Sequence, residues 1–320
     1  MHKLKLVLLA LGLSSINASA LIDNVVYLFA HGLYNDYTLA YYYENIRRPH
    51  ELYVINNELH LTHVTNHKYV WAVDDPDDLR LWILQQPLHS FNFPDATRKG
   101  FDGSQTSLGQ ENEIQALANA YAHIKHNNVV SMGYSRGAAT LLNWLASRNP
   151  SNVVAAIAES PYDSITSALD FFCHNAGVGW IPLSILYSSP NLFFGKFDYK
   201  GIFPIKVIQH INQNIPLLLV ASLEDALVPA YSTANLYTRL LQYGHPHVYF
   251  LLLDKGAHGY LLENADAHIY LNAVHAFYKK YDLPHNKAFA AHGEAILAQC
   301  QPSKKEVDEA LKNKKSFITK

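Results

Sequence analysis

The chain has 320 residues, of which 49% are hydrophobic and 16% charged, with a formal net charge of −2. This composition excludes intrinsic disorder, which needs low hydrophobicity and high charge, and the near-neutral balance argues against a nucleic-acid partner, because gripping a phosphate backbone needs a basic surface. The length suits one large domain with a sizeable core.

The first 20 residues read as a leader. Lys3 and Lys5 supply a positive start, Leu6 to Leu13 an apolar stretch, and Ala18-Ser19-Ala20 the small residues a signal peptidase needs. The stretch is too short to span a bilayer, and no Cys follows it to carry a lipid. The other reading is an N-terminal strand or short anchor. Residues 1–20 are therefore expected to be a signal peptide, and the mature chain to start near Leu21 without a transmembrane segment. The protein is expected to be secreted or periplasmic.

After the leader, Asn24 to Ala30 is a β-branched, aromatic-rich run expected to form a buried strand, ending in a loop at His31-Gly32. A helix is expected over 36–47, stopping before Pro49. Short strands or a hairpin are expected within 51–73, and a short helix within 74–86. His60, His63 and His67 form the densest histidine group. They lack neighbouring Cys, and no HExxH occurs, so a polar surface or packing role is favoured over a metal site. His89 to Pro94 suggests a strand end, and Asp95 to Ser107 a loop. Ser107 could cap a helix running to about His126, with Glu111 and Glu113 placing negative charge in its first turns.

Downstream the rhythm is regular. Strands are expected at Val129–Met132, Val153–Ala158, Leu217–Ala221 and Val248–Leu253, and helices at Ala138–Ser147, Tyr231–Tyr243 and Asn264–Tyr281. Near-continuous apolar strands alternating with helices predict an α/β fold: a mostly parallel sheet of about six or more strands, covered on both faces. Residues 161–212 break the rhythm. Their aromatics (Phe171, Phe172, Trp180, Tyr187, Phe193, Phe194, Phe197, Tyr199) suggest an inserted cap, in which such residues serve first as cap core. The division expected is a leader at 1–20, a domain over 21–302 with the cap inside it, and a lysine-rich tail at 303–320 that is a terminal helix or a solvated extension. Cys173 and Cys300 permit one disulfide in an exported chain, and two buried free thiols fit equally well.

The chemistry converges on Gly133-x-Ser135-x-Gly137. Three fixed residues alone arise by chance roughly once in ten such chains, so the context carries the reading. A strand precedes them and a helix follows without a linker. Such a sharp turn strains the central Ser and presents it above the sheet beside a helix N-terminus. A Ser hydroxyl needs a base, and His258 follows the last strand, whereas His245 and His247 precede it and belong to its other end. An orienting carboxylate is then required. Asp225, directly after the Leu217 strand, is favoured over Glu159, which follows the Val153 strand. Glu224 is expected to point elsewhere. Backbone N–H donors for an oxyanion are expected from Arg136 and from the loop at Leu33 or Gly32, with Leu33 preferred.

Together His31-Gly32-Leu33, Gly133-Tyr134-Ser135-Arg136-Gly137, Asp225-x-x-Val228-Pro229 and Gly256-Ala257-His258-Gly259 resemble the α/β-hydrolase superfamily over about residues 25–281. The resemblance implies a serine esterase-, lipase- or peptidase-like enzyme with no cofactor and no metal. It would act on a small-molecule or lipid-like acyl substrate through an acyl-enzyme on Ser135. A Ser at this turn argues against haloalkane or epoxide chemistry, where relatives use Asp. One departure stands out: the mature chain is expected to start at what resembles the family's third strand. Two other readings remain, a non-catalytic binding protein on the same fold and a serine peptidase for short peptides.

Overall fold

The computed structural model of the chain describes residues 25–33, 35, 88–97, 100–180, 195–198 and 200–319. The leader, the helices and strands expected between 36 and 86, the His60, His63 and His67 group, and residues 181–194 and 199 of the expected cap lie outside the described residues.

In chain order the elements are β1 (Val25–Ala30), β2 (Leu88–Ser90), β3 (Ala96–Thr97), β4 (Gly100–Phe101), α1 (Glu111–Ala122), β5 (Asn128–Tyr134), α2 (Arg136–Arg148), β6 (Val153–Glu159), α3 (Ile165–Asn175), α4 (Pro204–Val207), β7 (Leu217–Ser222), α5 (Ala230–Gln242), β8 (Val248–Leu253), α6 (Ala267–Lys280), α7 (Lys287–Gln299) and α8 (Lys304–Asn313). Among the described residues six strands form one sheet in the order β2-β1-β5-β6-β7-β8, and its pairings are parallel. β3 and β4 make a small separate antiparallel pair. This is the expected α/β architecture.

Alternation along each strand explains the continuous apolar runs. Leu218 and Val220 of β7 face one side of the sheet with Tyr249 and Leu251 of β8, where α6 contributes Tyr270, Val274 and Phe277. Leu217 and Leu219 face the other side with Phe250 and Leu252, against Leu141 and Trp144 of α2 and Leu236 and Tyr237 of α5. With both faces covered, both sets of alternate residues in these strands are predominantly apolar.

The boundaries shift where turns intervene. Ser107 does not begin α1. Leu108 and Gly109 take positive φ values of 52° and 83°, and the helix starts at Glu111. Ser107 Oγ still accepts the Asn112 N–H at 3.1 Å, so it caps a first-turn amide from outside the helix. Glu113 turns inward and is fully buried, rather than serving an exposed helix end. α7 is a further helix with no counterpart in the sequence reading. It packs against α6 so closely that a Cβ on Gly293 would lie 1.9 Å from the Asn272 carbonyl oxygen. The segment after Ser303 is helical, capped reciprocally by Ser303 and Glu306, and buries Val307, Ala310 and Ile318.

Within 161–212, α3 and α4 are short helices. Phe197 and Phe203 join Leu108, Tyr162, Ile165 and Val228 in a separate buried cluster. Cys173 on α3 and Cys300 at the end of α7 are both free and buried. The pairing considered above is not made: Cys300 is sealed into the core beneath α6 and α7, while Cys173 sits on α3, outside that cluster.

Candidate active site

In a parallel sheet all strands end on one edge, so the loops after β1, β5, β7 and β8 gather there. β5 runs into α2 through Ser135 alone, which takes φ 55° and ψ −119°. A positive φ is unfavourable for a residue with a Cβ and persists only when the surroundings enforce it. They do so here. The Ser135 N–H donates to the Glu159 carbonyl of β6 at 2.8 Å, continuing the ladder past the strand. The flanking glycines are required by close approach: a Cβ on Gly133 would lie 2.6 Å from the Gly137 carbonyl oxygen, and one on Gly137 would lie 2.1 Å from that of Ala30. The turn is therefore wedged against the loop after β1.

Ser135 Oγ lies 2.8 Å from His258 Nε2, and His258 Nδ1 lies 2.6 Å from Asp225 Oδ2. Asp225 Oδ1 accepts the Leu227 and Val228 N–H groups at 2.9 and 2.8 Å. With both its oxygens acting as acceptors, Asp225 fixes the proton on Nδ1, so Nε2 presents its lone pair to the Ser hydroxyl. The Asp225 side chain is 1% exposed and that of His258 10%, so the carboxylate is buried and only a small part of the imidazole meets solvent.

The other acidic candidates are engaged elsewhere. Glu159 is fully buried and accepts the Tyr270 hydroxyl at 2.8 Å. Glu224 accepts Lys255 Nζ at 2.6 Å and the Gly256 N–H at 3.1 Å, tying the loop that carries His258 to the loop that carries Asp225. The hydrogen bond from Lys255 holds its carboxyl below the usual range. His245 lies before β8, away from this edge, as expected.

Two site residues have no signal in the sequence beyond their place in the Gly-x-Ser-x-Gly run. Tyr134 lies beside His258, ring centroids 5.1 Å apart, and fills the space under Gly32 and Gly259. Burial, followed by the charges of Glu159 and Asp225, pushes its phenol well above the ordinary value, so it stays neutral. Arg136 has a buried side chain. One of its terminal nitrogens bonds Asp95, lies 3.0 Å from Thr106 Oγ1 and 3.5 Å from Glu113 Oε1; the other donates to the Gly32 carbonyl at 3.2 Å. Leu33 lies one residue further along that loop, partly buried against the Tyr162 and Val228 cluster. Among the described residues no group of three or more His, Cys, Asp or Glu is arranged to hold a metal ion, and no helix is long and apolar enough to cross a membrane.

Chemically, the arrangement joins a strained hydroxyl, a base with its lone pair directed at that hydroxyl, and a carboxylate behind the base. Residues 99–282 match the family model described as the prolyl oligopeptidase family. A search of the curated proteins found no match. Among solved structures, an esterase from Pyrococcus furiosus, Pf2001, superposes with a TM-score of 0.51 at 18% identity over 81% of this chain and 82% of that one, a likeness of fold. An acylaminoacyl peptidase from Pyrococcus horikoshii matches with a TM-score of 0.40 at 20% identity over 56% of this chain and 29% of its own. Alpha/beta hydrolase domain-containing protein 10 from mouse matches with a TM-score of 0.48 at 14% identity, over 81% and 91%.

Proposed function

The chain belongs to the prolyl oligopeptidase family, and from that premise we propose that this serine hydrolase cleaves an ester, thioester or amide through an acyl-enzyme on Ser135. The observation that carries the reading is the unbroken hydrogen-bonded line Asp225–His258–Ser135. Ser135 Oγ would attack the acyl carbon while His258 Nε2 takes the hydroxyl proton. The carbonyl π electrons move to oxygen, where the Leu33 and Arg136 N–H groups would hold the negative charge. Collapse expels the leaving group, which takes the proton from His258. Water, giving a proton to His258, then attacks the acyl carbon, and collapse releases the acid while Ser135 Oγ takes that proton back from His258. Asp225 would keep the imidazole oriented and stabilise it when charged.

Support for an apolar acyl group comes from Leu227 and Tyr260, each two residues from a member of the line and 45% and 54% exposed. The family match favours a second reading, in which the acyl donor is a short peptide. We also propose that residues 1–20 direct export, on the strength of their tripartite pattern.

Labelling by a fluorophosphonate probe tests the reading without knowledge of the substrate. Wild type should be labelled and Ser135→Ala should not. A folded wild type that takes no label would overturn the hydrolase reading in favour of a binding protein. Comparing p-nitrophenyl esters with peptide amides then separates the esterase and peptidase readings.

A further inference from the structure

We propose that the Arg136 side chain is a positioning residue for the oxyanion site, holding the Gly32–Leu33 peptide so that the Leu33 N–H faces the reacting carbonyl. This rests on the hydrolase reading above. In a trans peptide the C=O and N–H point in opposite directions, and none of the described peptides is cis. Whatever holds the Gly32 carbonyl therefore aims the Leu33 N–H.

Two buried donors hold that carbonyl. Arg136 Nη2 donates at 3.2 Å and His31 Nδ1 at 2.8 Å. The His31 tautomer is settled by its other nitrogen, since Nε2 accepts the Phe93 N–H at 3.1 Å. Burial, reinforced by the charge of Arg136, lowers the His31 pKa to about 3, so it serves as a neutral donor and Arg136 as the charged one.

The guanidinium is itself anchored. Asp95, Thr106 and Glu113 receive its other terminal nitrogen, and it lies 4.6 Å from the centroid of the Phe93 ring. Glu113 is fixed in turn by the Ser107 amide at 2.9 Å and the Thr106 hydroxyl at 2.7 Å. A cation that donates to a carbonyl also polarises its peptide, which strengthens the N–H at the other end.

The loop is in the right place to benefit. Gly32 lies against Tyr134, and Ala30 and His31 lie against Gly137, so the loop straddles the Ser135 turn. Arg136 would thus supply one donor through its own backbone and aim the other through its side chain. Burying a guanidinium is costly, and a plain core position beside the nucleophile would not call for one.

The test uses Arg136→Lys and the double variant Asp95→Asn/Arg136→Met, which removes the buried charge together with its principal partner. The Lys variant retains the charge and covers a double variant that does not fold. Active sites are counted by burst titration with p-nitrophenyl acetate. Turnover per titrated site should fall about 10- to 100-fold in the double variant and about tenfold in Arg136→Lys, short of deleting a donor outright. KM should stay within about threefold. The acid limb of the kcat/KM profile should not move, because Asp225 and His258 are untouched. Unchanged turnover per titrated site, with only a lower melting temperature or fewer active sites, would overturn the proposal and leave Arg136 as a structural tie. A wild type that neither hydrolyses the ester nor takes the fluorophosphonate label would instead defeat the hydrolase reading itself.

Discussion

At the residue scale, the identity of the acid follows from what its two oxygens do. Asp225 spends Oδ1 on two loop amides and Oδ2 on His258 Nδ1. An Asn in its place would keep the shape while an NH₂ facing Nδ1 would leave the imidazole proton on Nε2, where it blocks acceptance from Ser135. Asp225→Asn should therefore lower kcat about 10⁴-fold with little change in KM. Steady-state kinetics on p-nitrophenyl acetate would measure it, and a variant within tenfold of wild type would contradict this account. The residues expected from the sequence as nucleophile, base and acid are brought into hydrogen-bonding contact, and Glu159 is drawn off to Tyr270. The Arg136 side chain was invisible in advance. Its partners come from three separate stretches, Gly32 after β1, Asp95 and Thr106 in the segment before α1, and Glu113 on α1, and nothing local marks an Arg as buried.

At the element scale, close backbone approach sets what the helices tolerate. α6 and α7 meet at Gly293, whose missing Cβ makes room for the Asn272 carbonyl oxygen. Gly293→Ala must push the helices apart. Its destabilisation should be about 1–3 kcal/mol, of the order found for overpacked cores, which corresponds to roughly 3–10 °C in melting temperature. Calorimetry on the variant checks this, and an unchanged melting temperature would show that α7 is only loosely held. α7 had no clear signature because its buried side is narrow, with Ala290, Gly293 and Leu297 as its buried residues. The strands were legible because a strand covered on both faces is apolar at nearly every position. The helix cap falls three residues beyond Ser107, at Gln110, because Leu108 and Gly109 adopt positive φ before the helix can begin.

At the scale of the whole molecule, buried neutral histidines should link stability to pH. His31 is fully buried with its pKa lowered to about 3, and His245, also buried, is lowered to about 4, in both cases chiefly by burial. Between about pH 6.5 and these values the unfolded chain binds protons that the native chain refuses. Stability therefore falls as pH drops through that window, and the loss is complete once the native groups protonate. At pH 5 His31 alone should cost about 2 kcal/mol relative to pH 7. Urea unfolding at the two pH values should show the loss in wild type, and a loss smaller by about that amount in His31→Gln. Equal losses in the two proteins would mean that His31 is not buried neutral.

The sequence by itself determined the order of strands β5 to β8, the helices α2, α5 and α6 that alternate with them, and the strained turn at Ser135. Both follow from local rules, periodicity in one case and glycine spacing in the other. Tertiary structure alone decided that Arg136 reaches back to the Gly32 carbonyl, that Cys173 and Cys300 stay apart, and that α7 packs on α6. Each of these depends on where distant segments meet once the sheet has formed, and a linear pattern carries no record of such distances.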